Sequence, residues 1–361
     1  MNSSHPHPSP RHKHRFIVLD SFRGLCALSV VVFHLHLLQG FSEWDFFRSA
    51  GLMVEFFFTL SGFVLAYRYD QERFDGGGFR RYMVARFFRI YPLHVAMLLL
   101  FSGAMLWGGL TAAQWQQWLY QILLLQAWLP SADPFAFNGP AWSISVEFYL
   151  YVLFGAVLWA TLRWRQAAFA LVVAACTLCV LLALDFTQSG GFRGITCFFL
   201  GALAYRGFDA IHQRRICFAL ATVVEVLLLG SLYMVITAQY PMKSFLAAWA
   251  FAFAIVLFAF EQGGISKLLR HPWCVSMGKW SFSIYLTHYA LLHLIQAGLT
   301  TFAPQALQQK DGLSFISLGS ALMDNMAGLA ILALVLLISK FSYQQIEVRG
   351  VRWGKRLLAH R

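Results

Sequence analysis

The chain has 361 residues, of which 59% are hydrophobic and only 12% are charged. That composition excludes an ordinary soluble domain, because so much apolar surface would aggregate in water. The 35 Phe and 12 Trp suit helices that face lipid chains and headgroups. In a membrane protein Lys and Arg accumulate on the cytoplasmic side. We therefore interpret the formal charge of +12 as a sign of membrane orientation and not of nucleic-acid binding.

The amino terminus predicts a flexible cytoplasmic tail over residues 1–15, because HPHPSPRHKHR is rich in His and Pro. The apolar run over residues 17–38 is about 22 residues long, which is too long for the core of a signal peptide. No small-residue cleavage site follows it. This run therefore predicts a first membrane span.

Hydropathy predicts an all-α membrane bundle of about ten transmembrane helices. The predicted spans lie near residues 17–38, 50–67, 91–108, 142–162, 168–186, 192–205, 216–237, 243–261, 280–298 and 325–341. Residues 116–129 are aromatic, rich in Gln and only about 14 residues long, so we interpret them as interfacial or re-entrant. The chain thus divides into the tail, a membrane domain over 16–345 and a basic cytoplasmic tail over 346–361.

Loop charge orients the predicted spans, because Lys and Arg accumulate on the cytoplasmic side of a membrane. With the amino terminus inside, 23 of the 28 Lys and Arg residues fall in cytoplasmic segments, four fall outside and Arg23 lies in a span. Counting 116–129 as a full span would scatter this charge over both sides. Both termini are therefore predicted to be cytoplasmic.

The six Cys residues lie mostly inside apolar runs, which predicts buried packing cysteines rather than a disulfide framework. The Cys176-x2-Cys179 pair has no further Cys or His nearby to complete a zinc site. A metal site in the His-rich tail is the alternative there. We expect no metal ligands in this chain.

Ionisable side chains inside a span are functional candidates, because burying them in lipid is costly. Arg23 and His34 of the first span are eleven residues apart, which places them on one helix face roughly 16 Å apart along the axis. Ala27 and Val30 lie between them and are small enough to leave a groove. Arg23 is then nearer the cytoplasm and His34 nearer the far surface. The alternative is that both only pair with neighbouring helices.

His34 is the predicted general base, because a neutral imidazole can take a proton from a hydroxyl near neutral pH. Glu55 of the second span and Glu147 of the fourth are predicted at a similar depth, where either could orient the imidazole. Glu147 could instead bind acceptor hydroxyls or satisfy buried backbone, and Glu55 could serve packing alone. His36 is predicted to point away from His34, about 200° around the helix.

Arg86 and Arg89 lie at the cytoplasmic start of the third span, in FRRYMVARFFRIYP. Three residues apart, they share a helix face and could hold a phosphate-rich ligand with bidentate geometry. Coenzyme A, with its diphosphate and 3′-phosphate, is such a ligand. Ordinary positive charge at the cytoplasmic face is the alternative explanation.

Five sequence blocks together resemble the acyltransferase-3 family of integral membrane O-acyltransferases, the group with O-antigen and exopolysaccharide acetylases. They are LDSFRGLCALSVVVFH, with Arg23 and His34; FFFTLSGFVLAYR; RFFR, with Arg86 and Arg89; GPAWSISVEFYL, with Trp142 and Glu147; and SFSIYLTH, which ends at His288. The resemblance covers nearly the whole chain, and the blocks are specific as a set.

The resemblance implies that acyl-CoA, usually acetyl-CoA, binds from the cytoplasm of a bacterial inner membrane. The acceptor is then a hydroxyl of a surface polysaccharide or glycolipid on the outer side. Arg23, Arg86 and Arg89 are expected to bind the donor, with Arg23, His34 and Glu147 catalytic. We assign Glu55, Trp142 and His288 to the acceptor, although the residue pattern around His288 by itself favours a structural histidine.

The sequence departs from the family pattern at two places. Ser21 replaces the commoner Gly before the Arg, and no Pro follows the late Glu347, which leaves the role of that residue open. The fused hydrolase-like domain of many relatives is absent, so transfer is expected to finish here or pass to a partner.

A transporter or flippase for a sugar-linked or small-molecule substrate is the alternative function, with the same buried charges lining a path. The lack of an inverted repeat counts against it. The sequence leaves open the acceptor, the acyl chain, the oligomeric state, the choice between direct transfer and an acyl-enzyme, and any role for Glu225.

Overall fold

The computed structural model describes residues 14–69, 72, 74–106, 111–161 and 163–359. Within them the chain is almost wholly helical, with one small β-hairpin. The predicted flexible tail over 1–15 falls largely outside the described residues, which begin at His14.

The helices of the described residues are α1 (Ile17–His34), α2 (Asp45–Arg48), α3 (Met53–Tyr69), α4 (Gly76–Leu106), α5 (Ala112–Ile122), α6 (Trp142–Ala160), α7 (Arg165–Leu181), α8 (Gly190–Ile211), α9 (Phe218–Thr237), α10 (Lys243–Ala259), α11 (Gly264–Leu269), α12 (Pro272–Phe302), α13 (Ala321–Ser342) and α14 (Val348–Ala359). The hairpin strands are β1 (Leu307–Lys310) and β2 (Leu313–Ile316), paired antiparallel.

Each predicted span overlaps a helix, and the helical membrane bundle is confirmed. Seven segments of the described residues are long and apolar enough to cross a membrane, and α7 and α10 are apolar but only 17 residues long. The count of ten and the side of the termini stay predictions. Helix α5 has 11 residues and is about 16 Å long, which is too short to cross a bilayer.

The first span is shorter than predicted, because α1 ends at His34. Arg48 donates to the carbonyl oxygens of Val32 and Phe33 at 3.0 and 2.6 Å, which satisfies groups that the helix end leaves unpaired. Beyond it the chain is extended, and Leu37 forms a bridge with Ile316 of β2.

The hairpin itself was not predicted, although its turn has a recognisable signal. Asp311 and Gly312 both have positive φ, at 51° and 76°, as a two-residue hairpin turn requires. We call the end of the bundle with residues 35–44 and 303–320 the hairpin end. The opposite end, where α1, α4 and α12 begin, is the arginine end.

Two helix pairs approach closely through glycines, as small residues allow in membrane bundles. At the α1–α12 contact, a Cβ on Gly278 would overlap the Asp20 carbonyl, and one on Gly24 would crowd Met277. At the α3–α8 contact, a Cβ on Gly201 would overlap the backbone of α3. The backbones at these contacts have no room to yield.

Glu225, which had no predicted role, anchors the start of α11. Its carboxylate accepts from the amides of Gly263 and Ser266 at 3.1 Å each and from the Ser266 hydroxyl at 2.5 Å. A carboxylate at a helix amino terminus stabilises the free N–H groups there. Glu225 is therefore a structural residue.

The close glycine contacts predict that Gly→Ala changes the free energy of unfolding in opposite directions at two positions. Gly201→Ala should destabilise the protein by about 1–3 kcal/mol, because the added carbon meets rigid backbone. Gly230→Ala in α9, where nothing lies within 4 Å, should stabilise it by about 0.5–1 kcal/mol through helix propensity. Thermal unfolding in detergent measures both, and equal shifts would contradict the close contact.

Candidate active site

A cavity of about 440 Å³ lies between α1, α3, α4, α6 and α12. It reaches the arginine end at the exposed residues Arg15 and Arg68 and extends inward to Ser143 and Tyr285. We call it the arginine cavity, because Arg15, Arg23, Arg68, Arg86 and Arg89 line it against two carboxylates, Asp20 and Glu147. Its lining therefore carries an excess of positive charge, which suits an anionic ligand.

Arg86 and Arg89 both face this cavity, as their spacing predicts. The guanidinium of Arg86 lies 5.8 Å from the ring centroid of Tyr151, and its Nε is buried with no hydrogen-bond partner among the described residues. A buried donor without an acceptor is costly, so Arg86 suits a ligand that brings an oxygen anion. The phosphates of a coenzyme A donor fit this requirement.

Arg89 has a protein partner that the sequence analysis left without a role. Glu347 is 3% exposed, lies 3.8 Å from Arg89, and accepts from Ser283 Oγ at 3.1 Å. It sits in a π-helical turn, Tyr343–Glu347, between α13 and α14, and such turns are frequent at functional sites. No local sequence signal predicts this long-range pair.

Glu147 lines the arginine cavity and has other partners than the predicted His34. The hydroxyl of Tyr151, one turn further along α6, donates to Glu147, and Ser61 Oγ donates to the same oxygen at 2.9 Å. The i, i+4 spacing of Glu147 and Tyr151 could have indicated this bond. Of the three roles considered for Glu147, the structure contradicts orientation of the imidazole, because Tyr151 and Ser61 are its partners instead.

The predicted groove between Arg23 and His34 is also wrong, because other helices fill it. Ala27 is fully buried against Ile284 of α12, and Val30 is 1% exposed in the main core. Arg23 lines the cavity and lies 3.9 Å from Asp20. Arg23 and His34, which were predicted to share one helix face, thus lie in separate environments.

His34 meets His288 of α12 at the end of α1. Its Nδ1 lies 3.2 Å from Nε2 of His288 and 3.0 Å from the carbonyl oxygen of Val30. Nδ1 of His288 lies 3.1 Å from the carbonyl oxygen of Ile284, and the His288 side chain is fully buried. The ring of Tyr289 packs edge-on against His34, with centroids 5.5 Å apart.

Tyr285 connects this histidine pair to the arginine cavity. It lines the cavity, and its ring centroid lies 6.1 Å from that of His288, one turn along α12. Its hydroxyl accepts from Ser143 Oγ at 2.8 Å and donates to the Pro140 carbonyl at 3.1 Å. The histidine pair therefore lies directly beyond the inner end of the cavity.

Glu55 and Trp142 turn away from the histidine pair. Glu55 lies 3.3 Å from Arg193 of α8, and the Arg193 guanidinium stacks 5.6 Å from the Trp142 ring. The carboxylate of Glu55 thus faces Arg193 and not His34, which contradicts the orienting role, while the alternative of packing alone stays a prediction. His36 lies beyond α1 and accepts a hydrogen bond from Arg48, 3.0 Å away.

The apolar helical bundle is that of an integral membrane protein, and comparison of its sequence with known proteins shows the class to be an acyltransferase. The model of the acyltransferase-3 family, described as an acyltransferase domain, matches residues 16–341. The chain belongs to this family.

Two relatives are similar to the chain over different lengths. "Acyltransferase MdmB" of Streptomyces mycarofaciens is 28% identical over 342 residues, which cover 81% of this chain and 84% of the relative. "Protein 2 in picA locus" of Rhizobium radiobacter is 44% identical over 92 residues, 25% of this chain and 45% of that protein. No solved structure matches the chain.

Proposed function

We propose that this acyltransferase moves an acetyl group from acetyl-CoA, bound from the cytoplasm, to a sugar hydroxyl on the outer side of a bacterial inner membrane. The acceptor sugar belongs to a surface polysaccharide or to a lipid-linked intermediate. The observation that carries the proposal is the arginine cavity, which ends next to the histidine pair. Family membership supports the transfer of an acyl group.

The donor's phosphates are assigned to the arginines of the cavity. Arg86 offers an unpaired buried Nε, and Arg23 and Arg89 flank it in the same lining. The pantetheine arm then runs inward toward Ser143 and Tyr285, which brings the thioester to the histidines. Glu147 acts at this donor side, where it balances the charge of the arginines.

The proposed reaction needs two proton transfers, one from the acceptor to His34 and one from His34 to the leaving thiolate. His34 Nε2 removes the proton of the acceptor hydroxyl, and the oxygen attacks the thioester carbonyl. The tetrahedral intermediate collapses, the carbon–sulfur bond breaks, and the departing thiolate takes the proton from His34. The products are the acyl ester and free coenzyme A, and the enzyme is unchanged.

The orientation of the bundle is part of the proposal. The arginine end lies in the cytoplasm, where acyl-CoA is found, and the hairpin end lies outside, since the segments at the arginine end hold most Lys and Arg. His34, the last residue of α1, then lies nearest the acceptor.

The general base is tested with one substitution at two neighbouring histidines. His34→Gln should lower label incorporation from radiolabelled acetyl-CoA by at least about 100-fold, because a general base contributes about 10²- to 10⁴-fold to such a reaction. His36→Gln, which keeps an acceptor for Arg48, should stay within about threefold of wild type. Membranes of a deletion strain complemented with each variant provide the acceptor. Full turnover by His34→Gln would refute the mechanism, and a wild type without labelled product would favour a transporter.

The donor site is tested by binding rather than turnover. Arg86→Ala should weaken acetyl-CoA binding by about 10- to 100-fold, the equivalent of one charge-assisted hydrogen bond. Arg81→Ala, an exposed arginine on α4 outside the cavity lining, is the matched control and should change little. Calorimetry on protein in nanodiscs measures both affinities. Equal losses for the two variants would show nonspecific charge attraction.

The orientation is tested with a native cysteine. Cys217 is exposed in the loop between α8 and α9, at the arginine end. A membrane-impermeant thiol reagent should label it in inverted vesicles and not in intact spheroplasts. Asp311→Cys, in the hairpin turn of a Cys217→Ser chain, should show the reverse pattern. Labelling of Cys217 from outside would invert the proposed direction of transfer.

A further inference from the structure

The histidine pair, in which His288 is fully buried and His34 is half-buried, has a single proton arrangement that satisfies all its contacts. The carbonyl oxygen of Ile284 lies 3.1 Å from Nδ1 of His288, so this nitrogen must carry the hydrogen. The carbonyl oxygen of Val30 lies 3.0 Å from Nδ1 of His34, so the same holds there. The opposite assignment would place a nitrogen lone pair against a carbonyl oxygen in each ring.

This arrangement makes His288 the acceptor and His34 the donor. With Nδ1 protonated, the neutral ring of His288 has its lone pair on Nε2, which lies 3.2 Å from Nδ1 of His34. His34 therefore donates through Nδ1, shared between Nε2 of His288 and the Val30 carbonyl. Its own Nε2 is left with the lone pair.

We propose that His288 is a positioning residue that holds the His34 ring in the tautomer and orientation in which Nε2 accepts the proton of the incoming hydroxyl. The proposal rests on the proposed function, in which His34 is the base. It reassigns His288 from acceptor binding. In a catalytic triad a carboxylate orients the histidine base. Here the imidazole of His288 takes the place of that carboxylate.

A neutral partner suits this position for a physical reason. His288 is fully buried, and its neighbours Tyr285 and Tyr289 are neutral rings. A carboxylate there would need a costly desolvation, whereas an imidazole accepts one hydrogen bond through Nε2 and anchors itself through Nδ1. When His34 gains a proton on Nε2, its Nδ1–H bond to His288 becomes charge-assisted and stabilises the imidazolium.

The test compares two replacements of His288 with a matched control. His288→Leu fills similar space without an acceptor and should lower kcat by about 10- to 100-fold with an unchanged KM for acetyl-CoA. His288→Gln can return an acceptor oxygen near the position of Nε2 and should recover most of that loss. His271→Leu, at an exposed histidine that precedes α12 at its far end, should keep wild-type kcat. Equal losses in both His288 variants, with a raised donor KM, would indicate packing alone and overturn the proposal.

A second readout does not depend on activity. Solid-state NMR of protein with heavy-nitrogen-labelled histidine, with His34 assigned by its loss in His34→Gln, reports the protonated ring nitrogen. In wild type the His34 proton should lie on Nδ1, and His288→Leu should add a population protonated on Nε2. A wild-type signal from Nε2–H would overturn the inference about His288 alone. Full turnover by His34→Gln would instead overturn the proposed function.

Discussion

The packing of α1 against α12 is the constraint on which the candidate site depends. Gly24 and Gly278 let the two backbones touch near the arginine end, where no side chain could separate them. The helices then stay together as far as His34 and His288, which meet at hydrogen-bond distance. A wider separation of the helices would break this contact, because each imidazole is short and is held by its own helix carbonyl.

Charge compensation is the second constraint, because ions in a membrane need partners. In the arginine cavity Arg89 faces Glu347, Arg23 faces Asp20, and Glu147 accepts two hydroxyl donors. These pairs hold the arginines in place before any ligand arrives, so less ordering remains to be done on binding. The spare Nε of Arg86 is what separates this cavity from a purely structural ion network.

The sequence predicted the elements of this structure better than their contacts. Hydropathy located the helices, and the three-residue spacing of Arg86 and Arg89 placed both on one face, because these signals are local. The partners of Glu55, Glu147 and Glu347 were missed, since each is chosen by how helices pack. Glu147 looked equivalent to Glu55 by depth, yet one faces the cavity and the other faces Arg193. The hairpin was not predicted from the sequence because each of its strands has only four residues.

The separation between cavity and histidine pair has a chemical consequence for the proposed reaction. The bonds from Ser143 to Tyr285 and from Tyr285 to the Pro140 carbonyl lie at the inner end of the cavity. In the proposed reaction, the thioester has to pass these residues before it reaches the histidines.

A base open to water on both sides would hydrolyse the donor, and exclusion of water is one way in which enzymes prevent that loss. Tyr285 lies one turn before His288 on α12, so the same helix positions the tyrosine at the inner end of the cavity and the partner of His34.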